Sequence, residues 1–145
     1  MKKRYLSLLM GSFFLTGCAS YNTHFSASSD INPDINGDPS PIAVTVFELS
    51  DPISFEAASF SDLYANPQAV LGSTVLAQKS LVLAPGESKA LRLPAEKNAM
   101  YLGYLAAYRD LNTVTWEMLV PITDTGILGQ SFKLNVTASG ISIEE

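Results

Sequence analysis

The chain has 145 residues, 47% of them hydrophobic and 16% charged, which holds one domain or one domain plus a tail and is too apolar for a chain disordered throughout. Nine Lys and Arg face fourteen Asp and Glu; without the three cations at Lys2, Lys3 and Arg4 the balance is six against fourteen, a net charge of −8. That charge leaves no footprint for nucleic acid and is repelled by anionic lipid, while a single His and a single Cys exclude most metal sites and thiol–imidazole chemistry.

Lys2 to Arg4 form a positive start, and Tyr5 to Leu15 an apolar run of about ten residues. The run is too short to span a ~30 Å hydrocarbon core and reads as a signal-peptide core. It ends in Leu15-Thr16-Gly17-Cys18, which resembles the bacterial lipobox in all four positions. That resemblance implies cleavage after residue 17, a diacylglyceryl group on the Cys18 thiol and an acyl group on its new amine. The alternative is a plain buried Cys; the only Cys of the chain falls where the signal needs it. Several acyl chains anchor stably where one is marginal. Ala19 follows, not Asp, and by enteric sorting rules this implies transfer to the outer membrane, facing the periplasm. With one Cys there is no disulfide to form in that compartment. The expected organisation is a signal peptide at 1–17, an acylated tether at 18–20 and a domain at 21–145. A tether of three to five residues between Cys18 and the first strand reaches no more than roughly 18 Å.

Tyr21, Thr23 and Phe25 alternate with Asn22 and His24, a weak strand signal. Ser26 to Ser40 is rich in Ser, Asp, Asn, Pro and Gly and reads as loop. Ile42 to Leu49 is β-branched and apolar on both faces, the pattern of a central strand covered on both sides. Asp51-Pro52 turns the chain, and Ser54 to Leu71 carries Phe55, Ala58, Phe60, Leu63 and Tyr64 at helical spacing, predicting two short helices. Strands follow at Val75–Leu83 and Ser88–Leu93, joined by Ala84-Pro85-Gly86-Glu87 with the Pro and Gly of a type II turn. Tyr101 to Tyr108, Val114 to Val120, Phe132 to Val136 and a short end at Ile141 and Ile143 complete the set. About eight short strands with turns between them and one helical insertion predict an all-β, two-sheet sandwich.

Little in this chain suggests catalysis. His24 lies on a polar face, and no nucleophile–base pair can be nominated. Asp30, Asp34 and Asp38 recur every four residues; a calcium loop and a solvated turn cluster both fit, and the spacing lacks that of an EF-hand. Trp116 with Tyr101, Tyr104 and Tyr108 fits either a sugar platform or a core, and alternation within strong strands favours the core. No catalytic residue, metal ligand, cofactor or small-molecule substrate is assigned. The feature that stands out is the excursion Asn32-Pro33-Asp34-Ile35-Asn36-Gly37-Asp38-Pro39-Ser40 between two strands that a two-residue turn could join. Pro33 and Pro39 stiffen its ends, and Asn36-Gly37 suits left-handed backbone at its tip. A stiff loop loses less entropy on binding, which suits recognition; a bland surface connection is the alternative. Asp51-Pro52 and Asp124 to Gly129 are secondary candidates.

The order of these pieces carries a family resemblance over nearly the whole mature chain. A lipobox is followed by Asn32-Pro33-Asp34 with Gly37, then by Pro41-Ile42 opening a strand that ends Val46-Phe47-Glu48-Leu49. Phe55, Ala58, Phe60 and Leu63 follow as F-x-x-A-x-F-x-x-L, then Leu83-Ala84-Pro85-Gly86, then Tyr101-Leu102-Gly103 running to Ala106-Ala107-Tyr108-Arg109. This resembles the TssJ (SciN, VasD) lipoproteins of bacterial type VI secretion systems. The resemblance implies a transthyretin-like sandwich with a small helical addition, anchored in the outer membrane. It implies a structural role: binding the periplasmic C-terminal region of the inner-membrane TssM (IcmF-like) protein, in a membrane complex that includes TssL. The loop between the first two strands is a contact for TssM in that family, and it maps here onto Asn32 to Ser40. In this chain that loop holds Asp34 and Asp38 and neither Arg nor Lys. A periplasmic ligand- or carbohydrate-binding sandwich lipoprotein is the alternative reading.

Overall fold

The computed structural model describes residues 19–123 and 129–144; Cys18 and 124–128 lie outside them. Eight strands form two four-stranded sheets: β1 (Ser20–Ala27), β2 (Ile42–Leu49), β3 (Val75–Leu83), β4 (Ser88–Pro94), β5 (Tyr101–Ala106), β6 (Glu117–Pro121), β7 (Gln130–Thr137) and β8 (Gly140–Ile143). One sheet has the order β4-β1-β7-β8 and the other β3-β2-β5-β6. β1 and β7 run parallel; β1 with β4, β2 with β3 and β5, β5 with β6, and β7 with β8 are antiparallel. This is the two-sheet sandwich of eight strands that the turn spacing predicts.

β2 lies inside its sheet and is buried on both faces, as its unbroken apolar sequence requires. Ile42, Val44 and Val46 join Phe25, Leu91, Leu102, Leu134 and Val136 between the sheets. Phe47 and Leu49 point the other way, into a second cluster with Phe55, Leu63, Leu71 and Leu105. That second cluster lies under the helical insertion. At ~1.5–3 kcal/mol for each buried side chain, packing holds helices too short to stand alone.

The insertion holds three helices where two are expected: α1 (Ile53–Ala57), α2 (Phe60–Ala65) and α3 (Pro67–Leu71). Asn66-Pro67 looks like a stop, but Pro at the first helical position starts α3 instead. The Ser59 hydroxyl accepts the Asp62 N–H at 3.2 Å and caps α2, which separates α1 from α2.

Two strands are shorter than the sequence predicts. β5 ends at Ala106 because Tyr108 leaves the ladder, and its hydroxyl donates to the Thr137 carbonyl at 2.8 Å. β6 begins at Glu117, not at Val114. Thr115 instead bridges to Gly140 of the other sheet, with its N–H on the Ser139 carbonyl and its carbonyl taking the Ile141 N–H. Residues 114–116 therefore close one side of the sandwich. The opposite side is closed by lysines: Lys79 Nζ donates to the Arg92 carbonyl at 3.3 Å and Lys89 Nζ to the Val82 carbonyl at 2.7 Å. Lysines so placed blunt edges that would otherwise pair with another chain.

The first strand starts at Ser20, so Ala19 alone separates it from Cys18. The spacing between Cys18 and the first strand is one residue where three to five are expected, a reach of about 8 Å.

Candidate functional site

The strand directions give the sandwich two unlike ends. β1 starts at one end with Ser20, beside Pro94 of β4 and Gln130 of β7. It delivers the chain to the other end about 25 Å away, where residues 28–41 emerge. The Ala84–Glu87 turn lies at that far end too, with the Glu87 carbonyl accepting the Ala27 N–H and the Gly86 N–H on the Ser28 carbonyl. Gly86 has φ +75°, the left-handed residue a type II turn needs.

The loop is built from its base upward. Ile31 is wholly buried in the core and its carbonyl takes the Ser40 N–H at 3.1 Å, closing the neck. Asn32 is buried just above. Its Nδ2 donates to the Pro41 carbonyl at 2.9 Å, and its Oδ1 accepts the Arg109 N–H at 2.8 Å. One side chain thus ties the loop to both the strand that follows and the segment after β5. Asn32 does this at φ +46°, a conformation Asn tolerates better than most residues.

Above the clamp, residues 34–38 close on themselves. The Asp34 N–H donates to the Asp38 carbonyl at 2.9 Å and the Gly37 N–H to the Asp34 carbonyl at 3.0 Å. The Asp34 carboxylate accepts the N–H groups of Asn36 at 2.8 Å and Asp38 at 3.0 Å. The Asp38 and Asn36 N–H groups, with Arg109 nearby, hold the Asp34 carboxyl below the usual carboxylate range. Left-handed backbone occurs at Asn32 and at Gly37 (φ +86°); Asn36 has negative φ, unlike the expected Asn-Gly pair.

This leaves Pro33, Ile35, Asn36, Gly37, Asp38 and Pro39 in solvent, Asp34 half-buried and Ser40 buried. Ile35 is 100% exposed at the tip, the most exposed large apolar side chain described. A hollow of about 450 Å³ runs between Pro33, Asp34 and Ile35 on one side and Arg109 and Asp110 on the other. Arg109 and Asp110 escape a reading of the loop alone, because they join it only through the fold. Ile35 has a local signal: an Ile among Asn, Asp, Pro and Gly with no apolar neighbour in register has no core to enter.

The other candidates have structural work. Trp116 is half-buried, edge-to-face on Phe60 of α2 with ring centres 5.5 Å apart. Tyr104 and Tyr108 are buried, and the Tyr104 hydroxyl meets that of Thr23 at 2.9 Å. Burial pushes the Tyr104 hydroxyl up to about 12. Among the described residues no three His, Cys, Asp or Glu side chains gather as a metal site, and Asp34 spends its oxygen on backbone N–H groups. His24 is exposed on the outer face of β1. Asp51 accepts the Ile53 N–H at 2.9 Å, a turn at the start of α1. Residues 124–128 of the second candidate loop lie outside the described residues; Gly129 packs so close to the Ser20 backbone that a Cβ would meet its carbonyl.

These features define a class: a closed β-sandwich with a helical layer on one sheet, which presents a braced loop at one end and Ala19, where the described residues begin, at the other. Residues 19–139 match the family model T6SS-SciN, type VI secretion lipoprotein (VasD, EvfM, TssJ, VC_A0113). The chain belongs to that family of type VI secretion lipoproteins, as its motif order suggests. It is similar to the T6SS lipoprotein TssJ1 from Pseudomonas aeruginosa, with 25% identity and a TM-score of 0.81 over 88% of this chain and 95% of that one. Serratia marcescens Lip, a membrane-bound component of the type VI secretion system, shares the fold at 24% identity and a TM-score of 0.83, over 88% and 98% of the two chains. A chain in the structure of the T6SS protein TssM C-terminal domain from EAEC shares it at 22% identity and a TM-score of 0.72, over 87% and 98%. No curated protein sequence matches the chain.

Proposed function

We propose that this chain is a structural outer-membrane lipoprotein of the type VI secretion membrane complex. It is acylated at Cys18, faces the periplasm, and binds the periplasmic C-terminal region of a TssM (IcmF-like) protein with Asn32, Pro33, Asp34, Ile35, Asn36, Gly37, Asp38, Pro39 and Ser40. Through that partner it tethers a complex including TssL to the outer membrane. It works without a cofactor and performs no catalysis.

One observation carries the reading: Ala19 and the braced loop occupy opposite ends of β1, and Ala19 is the one residue between Cys18 and the strand. An anchor there keeps one end at the membrane and aims the other at whatever crosses the periplasm. The loop suits the task. Its base is locked by Asn32, so binding orders little, and its tip offers one apolar knob among charges. Membership of the family supports the secretion-complex role, and the likeness in fold to the membrane-bound Lip and to a chain in the structure of a TssM C-terminal domain agrees with it.

The test is binding of residues 19–145 to the TssM C-terminal fragment of the same bacterium, beside a variant with 33–39 replaced by a short Gly-Ser turn. Micromolar or tighter binding, lost in a variant that melts normally, is expected. Binding kept by the variant moves the interface elsewhere, and no binding by either folded protein removes the reading. The carbohydrate-binding alternative rests on Trp116, which is half-buried and packs edge-to-face on Phe60 of the helical layer.

A further inference from the structure

We propose that the anchor end of the sandwich is itself a membrane seat: Met100, Ile53 and Lys97 rest on the phospholipids of the leaflet that holds the lipid of Cys18. The inference rests on acylation of Cys18 and goes beyond it, because it assigns a protein surface to lipid and fixes how the domain stands.

Two of the few large apolar side chains exposed on the described surface lie at this end. Met100 is 54% exposed at the entry to β5, held by its N–H on the Leu49 carbonyl at 2.8 Å and by its carbonyl taking the Ile122 N–H at 2.8 Å. Ile53 is 68% exposed at the start of α1. Leu49 pairs with Tyr101 at the end of the ladder, and Phe55 lies against Gly103 just inside it, so the first turn of α1 belongs to the same end. Between Met100 and Ala19 runs a hollow of about 520 Å³, lined by Ala95, Ala99 and Ile122 as well, with exposed Glu96 and Lys97 at its rim.

The occupant follows from where the chain ends. Ala19 lines the hollow and is the next residue after Cys18, so acyl chains on Cys18 must enter the bilayer within about 8 Å of this end. A surface that close cannot stay out of the headgroup layer. Apolar side chains with a lysine beside them suit that layer, the lysine stem lying along apolar surface and its cation meeting phosphate. In a chain of net charge −8 after residue 17 this contact is weak alone; the anchor makes it effective by raising its local concentration. Its role is orientation: it stands the sandwich on end, with Ile35 farthest from the bilayer.

The experiment uses the lipidated protein in vesicles of phosphatidylethanolamine and phosphatidylglycerol. A small fluorophore is placed through Met100→Cys, Ile53→Cys or Ile35→Cys; thioether-acylated Cys18 does not react. Brominated lipids are expected to quench positions 100 and 53 at least threefold more than position 35, and acrylamide to show the reverse order. Equal lipid quenching at 100 and 35 would overturn the seat. So would shielding of 53 and 100 from both quenchers, which would mean that protein covers them. Protein mass and co-sedimentation with the vesicles report acylation separately, so a failed anchor is told apart from a failed seat.

Discussion

Asn32 determines whether the loop is a rigid feature or a strand connection. Its amide satisfies the Pro41 carbonyl and the Arg109 N–H, and losing such a partner from a buried site costs about 1–3 kcal/mol. Asn32→Ala is expected to lower stability by that amount in urea denaturation and to expose the loop to proteases. Asn32→Gly removes the same bonds without strain at positive φ, and should lose less stability while freeing the loop as much. A second residue works against the fold. Glu48 is fully buried between the sheets and neither of its carboxylate oxygens makes a hydrogen bond. Burial raises its carboxyl to about 7; the backbone N–H of Glu96, which closes no bond with it, offsets this in part, and the Glu96 charge adds to it. The folded protein then keeps a proton that the unfolded chain releases near 4.5. Stability should therefore fall, by up to about 1.4 kcal/mol per pH unit, as pH rises from about 4.5 to 7, and level off above. Glu117, raised by burial and by Glu56, adds in the same direction. Asp34 and Glu87, both lowered, act with the opposite sign and at lower pH. Glu48→Gln should flatten the decline in denaturation measured from pH 5 to 8; an unchanged decline would assign it to other groups. Nothing in the sequence around Glu48 marks it. It occupies an inward position of a β-branched strand, where alternation alone would call for an apolar residue.

The helical layer shows what element-level pattern can and cannot reveal. Strands β2 and β3 are legible to the residue, because Pro41, Ser50, the Gly72-Ser73-Thr74 stretch and Ala84-Pro85-Gly86 bound them at the turns. The helices are legible as one region but not as three units, since Pro67 marks a start as well as a stop. Residues 114–116 alternate like a strand yet are drawn to the other sheet by Gly140. There φ is +137° and a Cβ would meet the Thr115 backbone, so only glycine lets the segments meet. Gly103 is a similar case. It sits in the middle of β5, where glycine is otherwise unfavourable, and a Cβ there would come within 2.9 Å of the buried Phe55 ring. Gly103→Ala is expected to displace Phe55 and loosen α1 from the sheet at a cost of about 1–3 kcal/mol, read from denaturation and from faster amide exchange in α1. The inter-sheet core should be unaffected. Unchanged exchange in α1 would show that the ring has room to move.

The described molecule is polar in the geometric sense: Ala19, next to the proposed anchor, at one end and the loop at the other. The sequence carries both ends, as the lipobox and as the turn-rich excursion, but not their separation, which depends on β1 being a full strand and on β2 returning antiparallel to its neighbours. Nor does sequence order reveal that Arg109 and Asp110 flank the loop, since they come from the exit of β5. The far end carries Asp34 and Asp110 beside Arg109, with Asp30 and Asp38 in the same loop. Raising salt should slow association with a complementary partner more than it speeds dissociation; a salt-independent on-rate would remove the electrostatic part of the recognition.

The division of labour between the two ends can be read in living cells with a photo-reactive residue placed at Ile35 or at Met100, both exposed. Position 35 should cross-link to the TssM-like protein and position 100 should not. Cross-links to that protein from position 100, with none from position 35, would mean that the partner is held at the membrane end and that the loop is only a connection.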